Sequence, residues 1–152
     1  MAAGDPIVAV GTIKTLEASG AAVTNGSVVQ ADDANYSLAD DAASWPDAEF
    51  LLSAAWTTAP TEGRVVNLYA RPLDIDGSAD AEAPESSRPT LFVGCFVANN
   101  VGGSATQHMP LQGLIARDLP RLASYFLHND SGQSVNSGWV LKVIPRNVIP
   151  SP

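Results

Sequence analysis

The side chains best able to do chemistry are few and widely spaced. His108, His128 and the single cysteine, Cys95, are the nitrogen and sulfur groups that could ligate zinc or act as base and nucleophile. Zinc takes three or four such ligands, usually at short recurring spacings, and these three positions show none. Cys95 lies within the apolar run Leu91-Phe92-Val93-Gly94-Cys95-Phe96-Val97. It reads as a small buried hydrophobe, since a reactive thiolate wants an electropositive setting. A lone cysteine also rules out an internal disulfide. Among oxygen ligands, Asp74, Asp76 and Asp80 cluster, with Glu85 at the twelfth place counted from Asp74. Gly77 directly follows the second aspartate, which is out of register for a helix–loop–helix calcium site, so a solvated acidic loop is expected. Asp47 and Glu49 flank the start of a strand, but glycoside hydrolysis needs two acids set across a cleft, and in a chain with 16 acidic residues such a pair is background. No G-x-S-x-G nucleophile motif occurs, and Gly102-Gly103-Ser104 has no helix after it to cradle a phosphate. The expected sets of catalytic, cofactor-binding and metal-binding residues are therefore empty, and the chain is expected not to be an enzyme.

Three tryptophans raise sugar stacking as another chemistry. Trp56 and Trp139 fall on strand faces and read as core. Trp45, before Pro46, reads as a loop residue open to a partner, because the proline biases it away from helix.

The elements that would position these groups are strands. Alternating runs separated by turn signals recur, and long helical periodicity is missing. Strands are expected at 7–16, 27–30, 35–38, 49–57, 64–71, 90–99, 107–112, 121–128 and 139–145. In the fourth, Phe50, Leu52, Ala54 and Trp56 share one face, while Leu51, Ser53 and Ala55 share the other. In the fifth, Val66, Leu68 and Ala70 point one way. Asn25-Gly26 predicts a hairpin-type turn, Asp32-Asp33 another, and Pro60-Thr61-Glu62-Gly63 a third. Residues 40–47 and 74–87 read as loops. Residues 114–120 could make one helical turn, which Pro120 would stop. The fold class expected is all-β, an antiparallel β-sandwich of jelly-roll or Greek-key type with about eight strands. The whole chain, 1–152, reads as one domain with an extended N-terminal arm over about 1–10 and a C-terminal tail over about 146–152.

Composition narrows the function classes. The chain has 152 residues, enough to bury a core without a metal or disulfide. Only 16% of residues are charged, so much of the surface must be small and neutral, which favours being covered by neighbours. The net charge is −8, which argues against nucleic acid as a partner, since phosphates are bound by clustered lysine and arginine. The charge is also lopsided. Residues 1–86 carry 14 acidic and 3 basic side chains, and residues 87–152 carry 2 and 5. One copy could dock its basic face on the acidic face of another. No secretory leader or membrane-spanning run is read in the sequence, so synthesis in a cytoplasm is expected.

Two stretches carry a resemblance. One runs from Trp45-Pro46-Asp47-Ala48-Glu49-Phe50-Leu51-Leu52 through Trp56 to Val66-Asn67-Leu68-Tyr69-Ala70-Arg71-Pro72-Leu73 and Asp76-Gly77. The other runs from Leu119-Pro120 through Ala123-Ser124-Tyr125-Phe126-Leu127 and Ser131-Gly132-Gln133 to Gly138-Trp139-Val140-Leu141-Lys142-Val143-Ile144-Pro145-Arg146. Together they cover about the last two-thirds of the chain, and the pattern is similar to a family of small structural proteins of tailed bacteriophages. The resemblance implies a virion component, in the first place a capsid cement or decoration protein made in the host cytoplasm. Its implied partners are the major capsid protein, whose subunits it would bridge on the capsid surface, and copies of itself, a trimer being favoured. A tail or head–tail connector component is the alternative, and a carbohydrate- or receptor-binding module is another. The candidate interface residues are Ile7 and Val8 in the arm, Trp45 in its loop, and Arg146, Val148 and Ile149 in the tail, because extended ends can add to a neighbour's sheet.

Overall fold

The computed structural model describes residues 7–37, 47–73, 75, 81–85, 91–111, 119 and 122–149. They form nine strands: β1 (Ile7–Val10), β2 (Lys14–Gly20), β3 (Val28–Ser37), β4 (Asp47–Ala55), β5 (Val65–Pro72), β6 (Leu91–Val97), β7 (Thr106–Pro110), β8 (Leu122–Asp130) and β9 (Trp139–Ile149). Among the described residues there is no helix, and so none long and apolar enough to cross a membrane. All pairings are antiparallel. One sheet runs β1-β9-β4-β7, with β2 also on β9, and the other runs β3-β8-β5-β6. β1 pairs with the last residues of β9 and β2 with its first ones. The two short strands therefore share one edge position, and each sheet is four strands wide.

The pairings β5·β6, β4·β7, β3·β8 and β2·β9 are nested. They describe one long hairpin whose tip is the β5–β6 connection. Rolling that hairpin up, so that β9 meets β4 and β8 meets β5, splits it into two sheets. That is a jelly roll, one of the two sandwich topologies the strand count allowed.

The period-two pattern supplies the core. Ala48, Phe50, Leu52 and Ala54 of β4 are buried, and so are Val66, Leu68 and Ala70 of β5, as the alternation required. Ala123, Tyr125 and Leu127 of β8 and Trp139, Leu141 and Val143 of β9 complete the facing layers. Phe50 and Tyr125 meet across the two sheets with ring centroids 5.1 Å apart. Each fully buried large side chain stabilises the sandwich by roughly 1.5–3 kcal/mol relative to exposure.

The structure departs from the sequence expectation in several places. The first strand, expected over 7–16, is broken at Gly11–Ile13. Its partner explains the break. Pro145 has no N–H, and in an antiparallel ladder a residue's N–H and C=O point to the same neighbour. The Pro145 carbonyl accepts from the Gly11 N–H at 2.9 Å, but no bond can come back, so the edge strand restarts at Lys14. The segments 27–30 and 35–38 are a single strand, β3. It passes straight through Asp32-Asp33 with a register shift between Ala31 and Tyr36 instead of turning. The Asn25-Gly26 turn is present, with Gly26 at φ 80°. It turns a corner between sheets and does not close a paired hairpin, since β2 and β3 lie in different sheets. The last strand runs past Pro145 to Ile149, whose backbone pairs with β1. The turn expected at 114–120 and most of the loops 40–47 and 74–87 fall outside the described residues.

Candidate interaction surface

The candidate interface residues sort into three groups. Ile7 and Val8 lie opposite Ile149 and Val148 in backbone register, so the stretches read as arm and tail pair with each other. Arg146 lies opposite Val10 and Asp47 and is ion-paired to Glu49. Trp45 lies outside the described residues. Trp56 and Trp139 are core side chains, 0% and 1% exposed. Their indole N–H groups donate to Ser131 Oγ at 3.0 Å and to the Ala21 carbonyl at 2.7 Å.

The zinc-type residues are not brought together. His108 sits on β7, at the edge of the β9 sheet, where its Nδ1 is 2.8 Å from Ser53 Oγ. His128 and Cys95 lie on the other sheet, separated by Asn67 in one cross-strand row, about 9–10 Å apart at ordinary strand spacing. Cys95 is half-buried on the outward side, not in the core where its apolar run had placed it. The bulge opposite Leu68/Tyr69 changes the phase of β6 and exposes Leu91 and Phe92 beside it.

Of the three acidic residues that do converge, Asp32 and Asp33 are the pair expected to make a turn, and Glu17 was not singled out. Carboxylate oxygens of Glu17, Asp32 and Asp33 lie within 4.8 Å of one another where β2 passes β3. Glu17 is 4% exposed. Its oxygens accept from the Ser19 and Asp32 backbone N–H groups at 3.0 and 3.3 Å, and Asp33 Oδ2 accepts from the Ala18 N–H at 2.5 Å. These carboxylates satisfy backbone donors left over at the register shifts of both strands, a structural role.

The outer faces of the two sheets differ in character. On the β8 sheet, Gln30, Phe126, Tyr69 and Phe92 form one cross-strand row. Phe126 and Tyr69 are nearly buried, and Phe92 is half exposed against the Tyr69 ring at 5.7 Å. Burial, with the Asp130 carboxylate adding to it, pushes the Tyr69 phenol above its ordinary value.

Two hollows that share a lining residue make up a groove on the β9 sheet. A hollow of about 370 Å³ is walled by Ile13, Leu51, Pro110, Leu111 and Ile144. A second, of about 540 Å³, is walled by Ser53, Thr106, His108, Asn136 and Val140. Lys142 lines both. It is exposed and, among the described residues, makes no ion pair, since the nearby Glu49 carboxylate is taken by Arg146. The groove thus has an apolar end, a polar end and a cation between them. The sequence reading missed Lys142, Pro110 and Ile144. The available signal was β4, where the face opposite Phe50 and Leu52 also carried a large apolar residue, Leu51.

No protein-family model matches the sequence, and no curated protein matches it. A chain in the structure of the infectious bursal disease virus Gx strain is similar over 92% of this chain, at 14% identity and a TM-score of 0.39. The match spans 32% of that viral chain. A likeness of that degree carries no inference about what this chain does.

Proposed function

We propose that the chain is a structural protein of a virus particle, a capsid cement or decoration protein that lies on the head exterior and bridges major capsid protein subunits. The observation that supports it best is the pair of outer sheet faces. A sandwich that lives alone in water turns polar residues outward on both sheets. Here Ile13 is 60% exposed beside Leu51 and Ile144 on one face, and Phe92 and Val97 are 54% and 55% exposed on the other. Apolar groups on both sides, in a chain with few charges, suit a subunit covered by neighbours. The likeness of the stretches from Trp45 and from Leu119 to small tailed-phage structural proteins points the same way.

Copy number tests the proposal. Purified particles should carry hundreds of copies, and stripping them should lower the temperature at which heads release their DNA. A handful of copies per particle would move the chain to the tail or the head–tail connector. Absence from particles would remove the reading. The carbohydrate alternative now rests on Trp45 alone, because Trp56 and Trp139 are buried. A glycan array with wild type and Trp45→Ala decides it.

A further inference from the structure

We propose that β6 is a self-pairing edge: two copies of this chain join antiparallel along residues 95–97 about a two-fold axis at Phe96, so that their β8 sheets become one. The proposal stands on strand order and hydrogen-bond phase, and it goes beyond the virion reading without depending on it.

β6 ends the order β3-β8-β5-β6, and among the described residues no strand pairs with its other side. The phase of its bonds is fixed. The Ala98 N–H donates to the Arg64 carbonyl at 3.0 Å, and residues facing one neighbour alternate along an antiparallel strand. Ala98, Phe96 and Gly94 therefore face β5, and the N–H and C=O groups of Cys95 and Val97 point off the sheet. The far side of β5 agrees. The Asn129 N–H bonds Ser27, so His128 and Asp130 face β5, their partners Asn67 and Val65 face β8, and Val66 and Leu68 are left for Phe96 and Gly94. The free stretch is closed at both ends. Asn99, the next residue facing outward, has its N–H and C=O taken by the Gln107 side chain at 2.9 and 3.0 Å. Before Gly94 the bulge opposite Leu68/Tyr69 breaks the ladder. What remains is centred on Phe96, and an antiparallel copy of the same segment fits it. Cys95 then lies opposite the other copy's Val97, and the two exchange both of their bonds. Sheet edges are usually guarded by charge, proline or irregularity. β7 ends on Pro110, β3 carries Asp32 and Asp33 at its register shift, and the edge made by β1 and β2 is interrupted at Gly11–Ile13. β6 has no charge and no proline, and it holds the half-exposed Val97. An uncharged strand meets its own copy without like-charge repulsion. The contact uses the same patch on both copies and closes as a dimer, where the resemblance favours a trimer.

Sedimentation of the purified full chain over a concentration series should show a monomer–dimer equilibrium in wild type. Val97→Pro removes a donor that β5 does not use. It should stay monomeric where wild type is dimeric, with unchanged thermal unfolding at concentrations where both are monomers. Hydrogen exchange of wild type needs no substitution: the Cys95 and Val97 amides should be protected at high protein concentration and exchange freely on dilution. Val97→Cys reads the register. Opposed Cα atoms in a bonded antiparallel pair are about 5.5 Å apart, so mild oxidation should link position 97 to Cys95 of the other copy. Adding Cys95→Ser should abolish the link. Monomeric wild type at the highest soluble concentration, Val97→Pro that dimerises like wild type, amides that exchange alike at every concentration, or a link that survives Cys95→Ser would each overturn the proposal. A dimer of a chain missing from virus particles would remove the virion reading and leave this pairing standing. Particles carrying a chain that is monomeric in solution would do the reverse.

Discussion

At the turn joining β8 to β9, polar side chains are buried and hydrogen-bonded on every side; on the outer face of β9, just along the chain, they face open solvent. Asn129 and Ser131 are both 0% exposed. Asn129 Nδ2 donates to the carbonyls of Val23 at 2.9 Å and Gln133 at 2.8 Å. Its Oδ1 accepts from the Ser131 N–H at 3.1 Å and the Ser131 hydroxyl at 2.7 Å. Trp56 closes the set through Ser131 Oγ. Lys142, in contrast, lines an open groove with no carboxylate partner among the described residues. The first region fixes the end of the sandwich and offers nothing to a partner. The second offers shape and charge and contributes little to the fold. Stability and recognition should therefore separate by substitution.

The sharpest way to break that separation is Asn129→Ala. It leaves the buried Ser131 N–H without its partner and takes a second donor from the Val23 and Gln133 carbonyls, which keep the Val135 N–H and the Ser131 hydroxyl; the unsatisfied donor costs about 1–3 kcal/mol, and the emptied dry site and coupled bonds add to it. The expected destabilisation is about 3 kcal/mol, read as a fall in Tm of roughly 10 °C. A fall of a degree or two would mean that water enters and replaces the network.

Gly20→Ala tests the same end by packing. Gly20 lies opposite Trp139 in the ladder, and a Cβ there would sit 2.0 Å from the indole Cε2. The ring is tied to Ala21 and cannot swing freely. Overpacking should cost about 2 kcal/mol by denaturant unfolding. A neutral result would show that Trp139 has room to move.

These two residues also mark how far the sequence could be read. The buried faces of β4 and β5 were legible because a strand fully expresses its period of two, and jelly roll was one of the two topologies the strand count allowed. The break at Gly11–Ile13 was not, because its cause, the missing donor of Pro145, lies on a strand distant in sequence. Asp32 and Asp33 misled because turn-forming chemistry also serves a register shift, and only the partner strand says which. Asn129 gave no local sign of its four bonds. The groove was half legible: Leu51 stood on the face opposite the core, but Lys142 and Ile144 joined it only once β9 had been placed beside β4.

A smaller effect is expected on the β8 sheet, whose outer face lies between the two extremes. The Tyr69 phenol is held above its ordinary value of 10.0. The folded state therefore keeps its proton more tightly than the unfolded chain. The stability this brings is complete below the ordinary phenol range and declines as pH rises through the folded pKa. Unfolding measured at increasing alkaline pH should show that decline in wild type and less of it in Tyr69→Phe. Identical alkaline profiles would mean that the aromatic row does not hold the hydroxyl away from water.

The smallest effect belongs to Lys142→Met. The substitution keeps the long apolar stem on the sheet and removes only the charge, which makes no ion pair among the described residues. An exposed position of this kind should change unfolding free energy by no more than about 0.5 kcal/mol in either direction. A stability loss as large as that of Gly20→Ala would make Lys142 part of the scaffold, and the two regions would then no longer divide folding from binding.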